Sequence, residues 1–102
     1  MLVEVLFVPG CPNHGPAVER LRKVLSSAAI NASIQEIAVT DEAMARLLRF
    51  PGSATVRING RDIESSAQQS YGLACRLYSG GTGIPPLEAL QWAIAEAQDG
   101  KK

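Results

Sequence analysis

Two cysteines, Cys11 and Cys75, and a single histidine, His14, are the side chains of this 102-residue chain best suited to nucleophilic or soft-metal chemistry. Cys11 and His14 share the stretch Gly10-Cys11-Pro12-Asn13-His14-Gly15-Pro16, directly after an apolar run at residues 2–8. A cysteine thiolate is a strong nucleophile and a soft metal ligand. An imidazole one turn away can serve it as a base or as a stabilising cation. Cys75 offers a second thiol, which a disulfide cycle needs and which a thiophilic ion such as Hg(II) or Cu(I) would also use. The same short inventory excludes other chemistries. With two Cys and one His, no zinc site of four Cys/His ligands can form. A multi-disulfide secreted scaffold is excluded as well. A Ser-His-Asp hydrolase would have to use His14.

The bulk composition narrows the class further. At 102 residues, with 46% hydrophobic and 20% charged side chains, the chain reads as one globular domain over 1–102. Lys plus Arg and Asp plus Glu are 10 each, a net charge of zero. That argues against nucleic acid as a partner, because phosphate neutralisation needs surplus cations. It equally argues against docking on an anionic membrane. The apolar run at the start carries Glu4, lacks basic residues before it and ends after eight residues, so it reads as neither signal peptide nor membrane span. The expected compartment is the cytoplasm, with reduced thiols and any disulfide transient.

The elements that must position the cysteines follow from apolar periodicity. Residues 2–8 are nearly all apolar, as in a strand buried on both faces. From Pro12 to Ala29, Ala17, Val18, Leu21, Val24, Leu25 and Ala28 form a helical stripe, and Asn31 marks the turn that follows. Residues 33–39 read as a second strand with imperfect alternation. Thr40-Asp41-Glu42 opens a short helix with Thr40 as the expected N-cap, and Phe50-Pro51-Gly52 closes it. Residues 55–58 and 61–63 flank Asn59-Gly60, the preferred pair for a type I′ hairpin. A last helix begins near Pro86, with Leu87, Leu90, Ala93, Ile94 and Ala97 on its apolar face and Gly100 as its stop. Residues 64–86 form a long connection that carries Cys75, and 99–102 are a tail. The fold class is therefore α/β: a βαβ unit, a hairpin and a C-terminal helix, giving a four-stranded mixed sheet in a three-layer sandwich.

Cys11 falls between the first strand and the first helix, where ligands of open α/β sheets gather. A helix starting at Cys11 puts Pro12 at the first helical position, and one starting later makes Asn13 the N-cap. Either start sets the sulfur against unpaired helix N–H groups, which favour the thiolate. The plainer readings are a small buried residue at Cys11, an exposed first-turn residue at His14 and a core-filling residue at Cys75. Arg57, Arg61 and Arg76 read as solvated charges, and Trp92 as a half-buried packing residue. Gly80, Gly81 and Gly83 follow no strand, so no phosphate loop is assigned.

The element order, with Cys-Pro-Asn-His after the first strand, resembles the thioredoxin-like superfamily in its small bacterial thioredoxin- and glutaredoxin-like form. The resemblance implies a thioredoxin-like α/β/α sandwich and thiol–disulfide exchange, with protein or small-molecule thiols and disulfides as partners and no cofactor. It places the nucleophile at Cys11 and puts His14 where the family carries a second Cys. It implies substrate contacts at Pro12 and Asn13 and at the loop Ser53-Ala54-Thr55. In that loop the family carries a cis-proline where this sequence has Ala54. A cis bond before a non-proline residue costs about 2.5–4 kcal/mol, so a trans peptide is expected there. Cys75 is then the candidate resolving thiol. A Cys11–Cys75 bond would close a loop of roughly 65 residues, worth about 4 kcal/mol on the chain-entropy model. Three readings follow: a thiol–disulfide oxidoreductase with Cys11, His14 and Cys75 as catalytic residues, a non-catalytic binding module on the same fold, and a soft-metal or organomercurial site made by Cys11 and Cys75.

Overall fold

The computed structural model describes residues 1–64, 72, 73, 78 and 83–99. Its elements run β1 (Leu2–Phe7), α1 (His14–Ser27), β2 (Ser33–Ala38), α2 (Glu42–Leu47), β3 (Thr55–Ile58), β4 (Arg61–Asp62) and α3 (Leu87–Asp99). The strands form a mixed sheet in the order β2-β1-β3-β4. β1 pairs parallel with β2, Leu2 opposite Ser33 through Phe7 opposite Ala38, and antiparallel with β3.

The expected α/β architecture, a four-stranded mixed sheet with three helices, is the observed one, and its layering is that of a three-layer sandwich. Alternation along β1 sends Val3 and Val5 to one face, where they pack with Ala17, Leu21, Val24 and Leu25 of α1 and Leu90 and Ile94 of α3. Leu6 points to the other face and packs with Val39, Ala45 and Phe50 around α2. The first cluster is the main core, and the second holds the α2 layer.

Local signals explain most element ends. Asn59 and Gly60 have φ of 52° and 84°, as a type I′ turn requires. The turn is also stitched to β1, since Asn59 N–H donates to the Leu2 carbonyl at 2.8 Å and Leu2 N–H to Asn59 Oδ1 at 3.0 Å. α2 is capped by Asp41, whose Oδ1 accepts the Met44 N–H at 2.8 Å, so the cap lies one residue beyond the expected Thr40. Asp41 has the extended backbone that an N-cap needs. α1 ends through Ala29 at φ 55°, with Ile30 N–H on the Leu25 carbonyl, two residues before Asn31. On α3, Leu90 and Ile94 are buried, but Leu87 is 47% exposed and Trp92 63% exposed. Trp92 is thus a surface residue and not the half-buried one expected from the stripe. Gly100 lies outside the described residues.

Arg57 is not a solvated charge. Its Nη2 donates to the carbonyls of Leu48 and Arg49 at 2.7 and 2.9 Å, so a strand residue caps the C-terminal end of α2. Those carbonyls have no helical partner, and the two hydrogens of one guanidinium nitrogen serve both. Arg57→Ala is expected to lower stability by about 1–2 kcal/mol, and Arg57→Lys to recover part of that. A urea midpoint shift below a few tenths of a kcal/mol would show that water replaces the guanidinium without loss. Arg61 is exposed, and Arg76 lies outside the described residues.

Candidate functional site

The site is built on the C-terminal end of β1. Val8-Pro9-Gly10-Cys11 turns the chain away from the sheet, with Cys11 N–H donating to the Val8 carbonyl at 3.0 Å. Pro9 and Gly10 stand at the two central positions, and Gly10 has φ 87°, the type II turn pattern. A second turn follows at once, with His14 N–H on the Cys11 carbonyl at 3.2 Å. Cys11 therefore sits at the junction of two tight turns. It is a free thiol of intermediate exposure. Pro12 beside it is exposed and Asn13 is partly buried.

The helix starts later than the apolar stripe suggested. α1 begins at His14, and Asn13 is its N-cap by position but has helical dihedrals and makes no side-chain cap bond. The Asn13 amide lies over Gly83 instead. A Cβ on residue 83 would come within 2.4 Å of Asn13 Nδ2, so a side chain there would force the Asn13 amide to move. Cys11 thus stands two residues ahead of the N-cap position, not at the first residue of the helix. Arg20 reinforces the contact by donating to the Pro85 carbonyl at 3.0 Å.

His14 is held on two sides. Its ring stacks on Phe7, with centroids 3.7 Å apart and planes 5° from parallel. Its Nε2 lies 2.6 Å from Glu36 Oε1 on β2. Glu36 is a site residue that the sequence reading missed. Its signal was present in the imperfect alternation of β2, for Glu36 is two residues from Ile34 and occupies a position on the same face, toward α1.

The loop before β3 meets the first of these turns at Val8. The Ser53–Ala54 peptide is cis, where a trans bond was expected. The surrounding hydrogen bonds account for how the loop is held. Ser53 Oγ accepts the Val8 N–H at 3.0 Å, and Thr55 Oγ1 donates to the Gly52 carbonyl at 2.6 Å. Ser53, Ala54 and Thr55 are all buried. Both hydroxyls are engaged with the protein's own backbone, so these residues tie the loop to the end of β1 at Val8 rather than offering side chains outward.

Residues 15–79 match the family model of a domain of unknown function, DUF2703. The chain belongs to this family. The match spans more than half of the chain and begins directly after His14, so it takes in Cys75 but not Cys11. Comparisons with curated proteins and with solved structures give no significant match.

Within the matched DUF2703 segment, Cys75, Tyr71 and Arg76 lie outside the described residues, and so does the distance from Cys11 to Cys75. Two described neighbours in sequence are anchored. Leu73 packs against the α2 cluster, and Gly72 N–H donates to the Phe50 carbonyl at 3.2 Å. Tyr78 is 2% exposed in the main core, and its hydroxyl donates to the Ala54 carbonyl at 2.6 Å. Tyr78→Phe leaves that carbonyl without this donor in a buried setting. The expected cost is about 1–3 kcal/mol, read as a lower thermal midpoint; an unchanged midpoint would deny the bond an anchoring role. Among the described residues, no three His, Cys, Asp or Glu side chains converge on a metal position. Among them also, no helix is long and apolar enough to cross a membrane.

Proposed function

We propose that the chain is a thioredoxin-like thiol protein of the cytoplasm that exchanges disulfides through Cys11. The observation that carries this reading is the free, partly exposed Cys11 thiol, presented by two consecutive turns at the end of the central strand. A thiol so placed is open to attack a substrate while its backbone is fixed. Pro12, exposed beside it in sequence, is the candidate first contact for a substrate.

The reaction runs in two exchanges. The Cys11 thiolate attacks one sulfur of a substrate disulfide, that S–S bond breaks, and the second substrate sulfur leaves as a thiolate. The Cys75 thiolate then attacks the Cys11 sulfur and releases the first substrate sulfur as a thiolate. The substrate gains two electrons and the protein ends with a Cys11–Cys75 disulfide. An external dithiol, or two molecules of a small thiol such as glutathione, returns it to the reduced form.

The test is exposure of the reduced protein to oxidised glutathione, followed by acid quench and peptide mapping. A glutathione adduct on Cys11, or a Cys11–Cys75 disulfide that follows it, is the expected product. Absence of both, with Cys11 alkylated no faster than an unstructured thiol, would remove the proposal.

A further inference from the structure

We infer that Glu36 is a positioning residue for His14, which it holds as the proton acceptor for the Cys11 thiol. The inference rests on the reading of Cys11 as the nucleophile. A carboxylate can only accept a hydrogen bond, so the 2.6 Å contact requires His14 Nε2 to carry the proton. In the neutral ring the other nitrogen, Nδ1, is then the acceptor. Nδ1 is bonded to Cγ, on the backbone side of the ring, and proton transfer from Cys11 requires the ring to turn that nitrogen toward the sulfur. The hydrogen bond that closes this turn brings the two α-carbons within about 7 Å. The Phe7 ring, stacked at 3.7 Å, fixes the plane of the imidazole, and Glu36 fixes its rotation within that plane. When Cys11 loses its proton, that proton passes from sulfur to Nδ1, and His14 becomes a cation flanked by the Glu36 carboxylate.

The geometry also explains why a carboxylate occupies a position of β2 on the face toward α1. An apolar residue there would extend the cluster around Ile34 but leave His14 free to adopt either tautomer. The Glu36 side chain is 40% exposed and the His14 side chain 25%, so replacing either does not open the core.

The experiment has two arms, with circular dichroism confirming the fold of each variant. In the first, nitrogen-15 NMR reads the His14 tautomer. The Nε2–H form is expected in the unaltered protein, with a tautomer mixture in Glu36→Ala. In the second, the alkylation rate at Cys11 near neutral pH is mapped by mass spectrometry for Glu36→Ala, His14→Ala and the double variant. Glu36→Ala is expected to slow Cys11 on the order of tenfold, short of the loss of a full general base, and to add nothing once His14 is gone. An Nδ1–H tautomer in the unaltered protein, or a Cys11 rate indifferent to Glu36→Ala, overturns the assignment. Rates that respond to both residues while no glutathione adduct forms would uphold it and sink the redox reading alone.

Discussion

Cys11→Ser will form no mixed disulfide with oxidised glutathione, whereas Cys75→Ser will accumulate one. The asymmetry follows from the two roles in the exchange. Without the Cys11 sulfur there is no attacking thiolate on the exposed turn, and the adduct at that position falls to nothing detectable. Without the Cys75 sulfur the first exchange proceeds, but the internal second exchange has no nucleophile, so the intermediate waits for an external thiol. Because Cys11 is partly exposed, its replacement is expected to change stability by no more than about 0.5 kcal/mol. Loss of reactivity can therefore be separated from loss of fold. Adducts that map equally to both cysteines in the unaltered protein, or that persist in Cys11→Ser, would transfer the chemistry away from the β1–α1 turns.

The largest effect on stability is expected at Phe50. It is fully buried, and among the described residues its cluster has three other buried members, Leu6, Val39 and Ala45. α2 has six residues, too few to persist without packing. Phe50→Ala removes the largest side chain from this thin layer. The expected loss is about 3–5 kcal/mol, a large share of the roughly 5–15 kcal/mol of a small domain. Thermal unfolding should register it as a fall of roughly 15–30 °C. Leu47→Ala, on the same helix but 82% exposed, should stay within about 0.5 kcal/mol. Equal losses in the two variants would mean that the α2 layer does not depend on Phe50.

What the sequence makes legible is local. The α1 stripe is read correctly at Ala17, Val18, Leu21, Val24 and Leu25, all buried, because periodicity of three and four is a local property. Asn59-Gly60 is legible for the same reason, since two positive φ values demand a particular pair of residues. Cys11 could be placed at the end of a strand without knowing anything else of the fold. The parts not foreseen all depend on residues distant in sequence. Glu36 meets His14 across 22 positions, and Tyr78 meets Ala54 across 24. Arg57 finds the end of α2 only because β3 runs beside it. The loop that carries Ser53 and Ala54 is tied by the Ser53 hydroxyl to Val8, across 45 positions. Asn13, a good cap by type, makes no cap bond at the start of α1 and lies against Gly83, 70 positions on.

The place of β1 at the centre of the sheet has a consequence for synthesis. β1 precedes both strands that flank it, and its pairing partners begin at Ser33 and Thr55. At about 5–20 residues per second, a ribosome needs seconds to deliver the second of them. Through that interval a strand carrying Val3, Val5 and Leu6, all buried in the finished molecule, has no sheet to join. Its backbone is then an open edge to any other nascent chain. The strand that presents the thiol is thus also the segment most in need of protection before the fold closes, and expression yield will depend on how quickly the hairpin follows it out.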